Sequence, residues 1–426
     1  MQVHSNQLFL ASCVALTATA MTFAIRANLI GPIGALFAIS PEEMGWVVGT
    51  AFWGFTLSMV LGGILCDWLG MRRLLWIAFF SHLLGIGWTL FASDFWSLFL
   101  STLLVGIANG MVEAACNPLV ASLFPKQKTS KLNQFHVWFP GGIVLGGLIG
   151  YGLDRIHAPW QWQLVSIFVP ILGYGALFWG QEFPPTERVA KGVSTRDMAC
   201  ACIRPLFLLI VGCFVLSAST ELGTGQWIVE LLEHVGVPSI LLLVFIYGLM
   251  AIGRSFAGEI EERISSLGML LFSSVFSTLG LLLLGTTHGY WSFLAAALFA
   301  IGICFFWPTT IGFVSEYFPK TGPLGMSILG GAGMLSVAFV LPLMGKLYKD
   351  QTAAKLPQGT SLADLEKAVP GSPESLLLKT AQLGAGANTL LYVAILPALL
   401  SVIYLILYLN RRRISSGQDR IRPECF

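Results

Sequence analysis

The sequence predicts an all-α membrane protein of twelve transmembrane helices, arranged as two six-helix halves. Of its 426 residues, 55% are hydrophobic and only 11% are charged, whereas soluble domains carry about 25% charged residues. Apolar runs of about 20 residues, the length that crosses about 30 Å of hydrocarbon, recur about twelve times. A polar stretch at residues 182–204 divides these runs into two sets of six.

The predicted helices follow one another closely along the chain. Their approximate centres lie near Thr19, Phe55, Gly85, Gly110, Val144, Pro170, Ser217, Tyr247, Thr278, Ile303, Met334 and Leu399. Residues 1–181 form the predicted N-terminal half, 182–204 a cytoplasmic linker and 205–426 the C-terminal half. The latter carries a non-cytoplasmic insert at about 346–388, either a lid or a passive loop, with serine-capped short helices, and a basic tail.

The basic residues predict the orientation of the helices. Most of the 24 Lys and Arg residues fall in loops on the side of the two termini, among them Arg204, Arg254 and Lys320. Basic loops stay in the cytoplasm, so both termini are predicted to be cytoplasmic. We expect a multi-pass monomer in a cell membrane, the bacterial inner membrane, with the lipid bilayer around it and no nucleic-acid partner.

A short hairpin separates the second and third predicted helices. In GGILCDWLGMRR, residues 62–73, Asp67, Arg72 and Arg73 fill a glycine-rich turn. Hydrocarbon would leave its backbone and charges unsatisfied, so the turn is predicted to lie in the cytoplasm and to latch a gate. The hairpin resembles the loop between helices 2 and 3 of the major facilitator superfamily, whose pattern is roughly G-x-x-x-D-x-x-G-R-[RK]. Met71 stands where many members place an arginine.

Two internal repeats are consistent with two related halves. The tripeptide Phe-Pro-Lys closes the fourth and the tenth predicted helix, with Pro125 and Pro319 lying 194 positions apart. The segment GEIEERISSLG, residues 258–268, lies where a second copy of the hairpin would fall, although its acid is displaced.

A polar stripe marks the fourth predicted helix as a solute site. Asn109 and Asn117 stand four residues on either side of Glu113, so the three share one helical face. Pro118 removes a helical hydrogen bond nearby and frees a carbonyl. We expect a central site here, although a structural carboxyl between helices would leave the same pattern. A charge within a span costs roughly 2.5–3.5 kcal/mol, and such residues usually face the bundle interior.

The seventh predicted helix carries the second candidate acid. Glu221 lies in STELGTGQW, where two glycines loosen the helix before Gln226 and Trp227. In the first helix, Arg26 and Asn28 lie near its outer end. Arg26 either pairs with one of the two acids or extends to the interface.

Histidine and tryptophan complete the candidate set. His136 and Trp138 begin the fifth helix, and the position of His136 near the cytoplasmic end favours a gating or structural role. Trp307 precedes a proline in the tenth helix. Tryptophan rings stack on the apolar faces of sugars, which would suit Trp138, Trp227 and Trp307, although membrane proteins also place many tryptophans at interfaces.

Three short stretches carry a narrower resemblance. VEAACNPLV around Glu113, TELGTGQW around Glu221 and KLNQF at 131–135 are similar to segments of the fucose:proton symporter family. The resemblance implies sugar uptake coupled to protons. It makes Glu113 the substrate-linked acid, Asn117 a ligand of a hydroxyl group and Glu221 a polar group of the facing half. Members of that family carry an acid in helix 1, where this chain offers Arg26 and Asn28.

The sequence thus predicts a secondary active transporter of a small polar solute, most plausibly a sugar, working by alternating access with protons as the coupling ion. A uniporter or exporter of another organic solute stays open.

The chain has no G-x-x-x-x-G-K-[ST] loop and no H-E-x-x-H pair, so neither an ATP-driven pump nor a zinc enzyme of those types is expected. We expect no cofactor, no metal and no enzymatic activity. The predicted substrate-binding residues are Asn28, Asn109, Glu113, Asn117, Trp138, Gln226, Trp227 and Trp307, the proton-coupling residues are Glu113, Glu221 and Arg26, and the gating residues are Asp67, Arg72, Arg73 and His136.

Overall fold

The computed structural model describes residues 4–411 except 38, 40, 191, 193, 233–238, 359, 366–367 and 369–370. The described chain is helical throughout. The helices are α1 (Ser5–Leu36), α2 (Pro41–Leu69), α3 (Met71–Leu90), α4 (Phe95–Leu123), α5 (Lys128–His136), α6 (Trp138–Arg155), α7 (Gln161–Phe178), α8 (Glu187–Ala190), α9 (Thr195–Cys202), α10 (Pro205–Ala218), α11 (Thr224–Leu231), α12 (Ser239–Ser255), α13 (Ala257–Leu284), α14 (Trp291–Ile303), α15 (Phe306–Tyr317), α16 (Gly322–Ala354), α17 (Leu362–Leu365), α18 (Pro373–Val393) and α19 (Ile395–Leu409).

These helices form the twelve predicted spans. Within the described residues, eleven helical segments are long and apolar enough to cross a membrane, and the shorter apolar segment Leu242–Ser255 supplies the remaining one. Several spans consist of two helical segments in sequence: α5 with α6, α10 with the π-helical turn Ser219–Gly223, α14 with α15, and α18 with α19. Each predicted centre falls inside its span, so the fold class is confirmed.

The stretch at 346–388 consists mainly of extensions of two spanning helices. α16 continues to Ala354, and α18 begins at Pro373, where Ser372 accepts a hydrogen bond from the backbone N–H of Ser375 at 3.1 Å. The serine cap is therefore present, but the helix it starts is not short, because it leads into the last span. Asn388 donates a hydrogen bond to Gln351 at 3.0 Å and ties the two extensions together.

The N-terminus and the linker lie at the same end of the bundle, which we call the terminus side; the opposite end is the far side. The two halves meet tightly on the terminus side. A methyl group added at Gly63 would lie 2.5 Å from Cβ of Ser327 in the other half. Gly258, 195 positions after Gly63, is packed in the same way against Ser130. The second copy of the hairpin thus occupies the equivalent place in the C-terminal half.

The start of α5 reinforces this closure. Thr129 donates two hydrogen bonds to Oε1 of Glu316, from its hydroxyl at 2.8 Å and from its backbone N–H at 3.2 Å. Lys128 donates from Nζ to the carbonyl of Ser315 at 3.1 Å. These bonds join the two halves on the terminus side.

Candidate functional site

Two prolines interrupt helices that face each other across the two halves. Pro140 lies just after the break between α5 and α6, and Pro308 lies just after the break between α14 and α15. Because proline has no backbone N–H, the carbonyl four residues earlier loses its helical partner. These carbonyls belong to His136 and Cys304.

Arg254, at the end of α12, satisfies both carbonyls at once. Its Nη1 donates to the carbonyl oxygen of His136 at 2.9 Å, and its Nε donates to that of Cys304 at 2.7 Å. Its side chain is only 1% exposed. The assignment of Arg254 to a terminus-side loop was therefore wrong: an arginine following an apolar run resembles a loop residue, but this one is buried between the halves.

Glu221 neutralises this buried arginine. Nη2 of Arg254 donates to Oε1 of Glu221 at 3.0 Å, and both side chains are buried. Glu221 lies in a π-helical turn, Ser219–Gly223, between α10 and α11, and such turns often occur at functional sites. Within the described part of the chain, Oε2 of Glu221 has no hydrogen-bond partner.

Glu113 faces this pair from the N-terminal half. Oε2 of Glu113 accepts a hydrogen bond from Nδ2 of Asn117 at 2.9 Å. Oδ1 of Asn117 lies 3.1 Å from Nε2 of His136. Since the amide of Asn117 already donates to Glu113, its oxygen is the acceptor, and Nε2 of His136 carries the proton. Nε2 also lies 4.0 Å from Oε2 of Glu113.

A small cavity of about 10 Å³ lies among these groups, a volume that holds about one water molecule. Trp307 packs on Phe214 with the ring centroids 4.7 Å apart. Its indole N–H lies beside the carboxylate of Glu113, without reaching the geometry of a full hydrogen bond. The lining residues are Glu113, His136, Phe139, Glu221, Leu222, Arg254, Trp307 and Met334. They come from both halves, so the shape of the cavity depends on how the two halves sit against each other.

The charges of this cluster do not balance when both acids are ionised. Arg254 contributes one positive charge, and a neutral His136 contributes none. Glu221 holds Arg254 directly, whereas Glu113 has an amide as its hydrogen-bond partner. With both acids ionised the cluster has a net charge of minus one, and a buried charge without a counter-charge is costly. A single proton on Glu113 would make the cluster neutral. The arrangement can therefore bind and release one proton.

The structure brings five of the predicted residues together. Glu113, Asn117, His136, Glu221 and Trp307 all belong to the cluster. His136 lies at its centre and not at the terminus-side gate where the sequence placed it. The break before Pro140 turns its carbonyl towards Arg254, which explains the difference.

Asn109 and Asn28 lie outside the cluster. Asn109 donates to the hydroxyl of Thr22 at 2.9 Å, and its Oδ1 lies 2.8 Å from Nε2 of His82, so its amide is occupied within the N-terminal half. Asn28 donates to Asp154 at 2.8 Å and to Gln163 at 2.9 Å near the far side. On the stripe of α4, therefore, Asn109 belongs to a polar network of the N-terminal half, whereas Glu113 and Asn117 belong to the cluster.

The other two tryptophans predicted to bind the solute, Trp138 and Trp227, are not among the residues that line the central cavity. Trp138 is 41% exposed. Trp227 packs on Tyr348 with the centroids 6.1 Å apart. The side chain of Gln226 lies outside the described part of the structure.

Arg26 pairs with neither predicted acid. Its guanidinium lies over the ring of Phe23, 4.9 Å from the centroid. Arg254 occupies the place beside Glu221 that the sequence offered to Arg26. The sequence feature that could have identified Arg254 is the pair Pro140 and Pro308. Each proline leaves a buried carbonyl without its helical partner, and a buried donor must satisfy it.

The hairpin residues divide into two groups. Asp67 accepts a hydrogen bond from the hydroxyl of Thr186 in the linker at 2.6 Å. Arg72 and Arg73 are exposed at the start of α3, and no ion pair to either occurs among the described residues. Only Asp67 is placed for a latch in this state.

Comparisons with known proteins agree with this fold. The solved structure of the proton:xylose symporter XylE superposes with a TM-score of 0.77 at 13% identity, covering 95% of this chain and 96% of that one. The structure of FucP in its outward conformation gives a TM-score of 0.68 at 15% identity, covering 92% and 98%. At these identities the likeness shows the fold alone.

Curated relatives match parts of the chain. A D-xylose transporter of Levilactobacillus brevis is 27% identical over 129 residues, 30% of this chain and 28% of the relative. A D-galactonate transporter of Escherichia coli O6:H1 is 28% identical over 181 residues, 41% of this chain and 40% of the relative. A probable sugar efflux transporter of Pasteurella multocida is 24% identical over 295 residues, 66% and 70% of the two chains. The chain thus spans less than half the length of the first two.

The sequence profile described as Major Facilitator Superfamily matches residues 8–266, which is more than half of the chain. The protein therefore belongs to the Major Facilitator Superfamily.

Proposed function

We propose that the protein moves a small polar solute, most plausibly a sugar, by proton-coupled symport with alternating access. The observation that carries this proposal is the burial of Glu113 opposite the Glu221–Arg254 pair, at a cavity lined by both halves. A group that gains or loses charge at this position changes the free energy of bringing the halves together, which is what coupling requires.

Glu113 is the proton carrier in this proposal. Its carboxylate accepts from the amide of Asn117 and lies beside the indole of Trp307. Neither partner is charged, so protonation of Glu113 breaks no bond to a cation as close as that of Glu221. Glu221 would lose its bond to Arg254 if it were protonated. Arg26, predicted to take part in coupling, contacts neither acid and is given no coupling role.

Groups with spare or exchangeable hydrogen bonds are the candidate solute ligands. Glu221 offers Oε2, and Asn117 and the indole N–H of Trp307 can exchange their contacts with Glu113 for a solute hydroxyl. Tryptophan also offers a flat apolar face beside the polar atoms. These features suit a polyol with one apolar face, and the cavity must widen before it can admit one.

The relatives support this solute class and also the alternative. One is called a D-xylose transporter, and another a probable sugar efflux transporter. The second name favours export of a related solute as the competing function. In our proposal the terminus side is cytoplasmic, since most basic residues flank it, and a monomer in the bacterial inner membrane is the working unit. Residues 412–426 of the basic tail lie outside the described structure.

Proteoliposomes provide the test. A panel of hexoses, deoxyhexoses, pentoses and amino sugars would be added while external pH is recorded, with wild type, Glu113→Gln and Glu374→Gln. Glu374 is an exposed far-side acid and serves as the matched control. A solute that alkalinises the medium with wild type and Glu374→Gln, but not with Glu113→Gln, supports symport. Counterflow of the solute with no proton movement in wild type contradicts the coupling, and silence across the panel contradicts the sugar assignment.

A further inference from the structure

A second cavity lies inside the N-terminal half, apart from the cluster described above. It has a volume of about 50 Å³, enough for a few water molecules. Its walls are the far-side ends of five spanning helices, α1, α2, α3, α4 and α7. The lining residues are Thr22, Arg26, Leu29, Ile33, Val47, Val48, Ile86, Thr89, Leu98, Thr102, Val105, Leu164 and Ile167.

Arg26 is the one charged side chain in this lining. Its recorded contact is the ring of Phe23, and no hydrogen bond or ion pair from its guanidinium to any described residue is found. Arginines within membrane spans normally pair with acids or backbone carbonyls, because an unpaired charge there is costly. Five N–H donors in a planar fork therefore border an apolar cavity without an acceptor among the side chains that the structure describes.

A second free donor lines the same cavity. The hydroxyl of Thr22 donates to the carbonyl of Thr19 at 2.7 Å, and that of Thr89 donates to Gly85 at 2.8 Å. Both hydroxyl protons are thus in use. No hydrogen bond from the hydroxyl of Thr102 is found among the described residues, although Thr102 is only 6% exposed. Arg26 and Thr102 together present positive charge and a free O–H to one space.

We propose that this cavity is a binding site for a small monovalent anion, either a halide or the carboxylate group of an organic acid, held by Arg26 with help from Thr102. A guanidinium matches a carboxylate with two parallel hydrogen bonds. The volume suits the anionic group itself and not a whole sugar, so any larger solute would leave its remainder outside. The inference does not depend on the solute proposed for the central site.

The test uses the full-length protein in detergent and follows the thermal unfolding midpoint in chloride-free HEPES buffer. Sodium chloride and sodium acetate are titrated in separate series. A ligand that binds the folded state alone stabilises it by mass action, so we expect about 2 °C more stabilisation of wild type than of Arg26→Met at about 100 mM anion. Thr102→Val should show a smaller loss of the response.

Arg155→Met is the matched control. Arg155 also lies near the far side and also contacts an aromatic ring, that of Tyr151 at 5.9 Å, but it is exposed and lines no part of the cavity. It should keep the full anion response. Equal responses in wild type and Arg26→Met would overturn the proposal, because general salt effects would then account for the stabilisation.

The source of the anion follows from the separate series. Stabilisation by chloride alone identifies a halide site, and stabilisation by acetate identifies a carboxylate site. A further series with D-galacturonate and D-galactose, which share a ring but differ in charge, shows whether a sugar acid supplies the carboxylate. If Arg26→Met does not fold, chloride NMR on wild type replaces it: protein-dependent broadening relieved by acetate supports the site, and absence of broadening contradicts it.

Discussion

Arg26 and Arg254 both lie in membrane-spanning helices, and their surroundings differ. Arg254 donates to two carbonyls and one carboxylate and is sealed between the halves. Arg26 lies over one aromatic ring beside an apolar cavity, without an acceptor among the described residues. The sequence gives both the same appearance, a single basic residue in an apolar run.

The difference shows that acceptors, and not depth alone, decide what an intramembrane arginine does. Two prolines and one acid prepare three acceptors for Arg254, so its charge fixes the architecture of the central cluster. No comparable set of acceptors surrounds Arg26 among the described residues, which is why we propose that its charge serves a ligand. Removing each arginine should therefore have opposite consequences for folding and for binding.

The largest expected effect is that of Arg254→Met. The substitution leaves Glu221 as a buried charge without a partner, and breaking such a pair costs about 3–5 kcal/mol. We expect a strongly lowered unfolding midpoint or loss of folded protein in detergent. The double variant Arg254→Met/Glu221→Gln should recover part of this loss, and equal stability of the single variant and wild type would refute the structural role.

Next is Glu113→Gln, which removes the proton site and keeps the hydrogen-bonding shape. We expect solute-driven proton uptake to fall to background while solute counterflow persists. Glu221→Gln should instead lower the unfolding midpoint, because Arg254 then lacks its counter-charge. Proton uptake by Glu113→Gln at the wild-type rate would show that the proton binds elsewhere.

Gly63→Ala should hinder closure of the terminus side. The added methyl would meet Cβ of Ser327, which cannot rotate away, whereas at Gly258 it would meet the hydroxyl of Ser130, which can. We therefore expect Gly63→Ala to raise the thiol labelling of a terminus-side reporter cysteine more than Gly258→Ala does. Equal labelling of both variants would mean that the two halves close independently of this contact.

A smaller effect is expected for Asp67→Asn. Asparagine can still accept the hydrogen bond from Thr186 but carries no charge. If the hairpin latches the gate through its charge, turnover should fall several-fold with little change in the apparent affinity. Thr186→Val, which keeps the charge and loses the bond, is the companion variant. Transport by Asp67→Asn at the wild-type rate would exclude the latch.

The smallest change in stability is expected for Arg26→Met in chloride-free buffer. Because the guanidinium loses no bond to an acceptor in the described structure, the unfolding midpoint should stay level or rise. This outcome, set beside the loss for Arg254→Met, measures the contrast between the two arginines directly. A drop as large as that of Arg254→Met would show that Arg26 is structurally paired.

The sequence predicted the fold well because span length and apolar composition follow from bilayer thickness alone. It also placed Glu113 and Asn117 on one helical face, because they are four residues apart, and the structure joins them by a hydrogen bond. It misplaced Arg254, because the end of a short span and the start of a loop look alike in composition. Asn28 and Asn109 were predicted to bind the solute, but each is bonded to partners in other helices outside the cluster. Spacing along one helix does not reveal such partners.

The central cavity of about 10 Å³ has a thermodynamic consequence. A site wide enough for a sugar must draw water from the bulk as it opens, so the equilibrium between occluded and open forms depends on water activity. Solutes excluded from protein surfaces favour the less hydrated form. The rate of transport should therefore respond to osmotic stress even when the gradients of solute and protons are held constant.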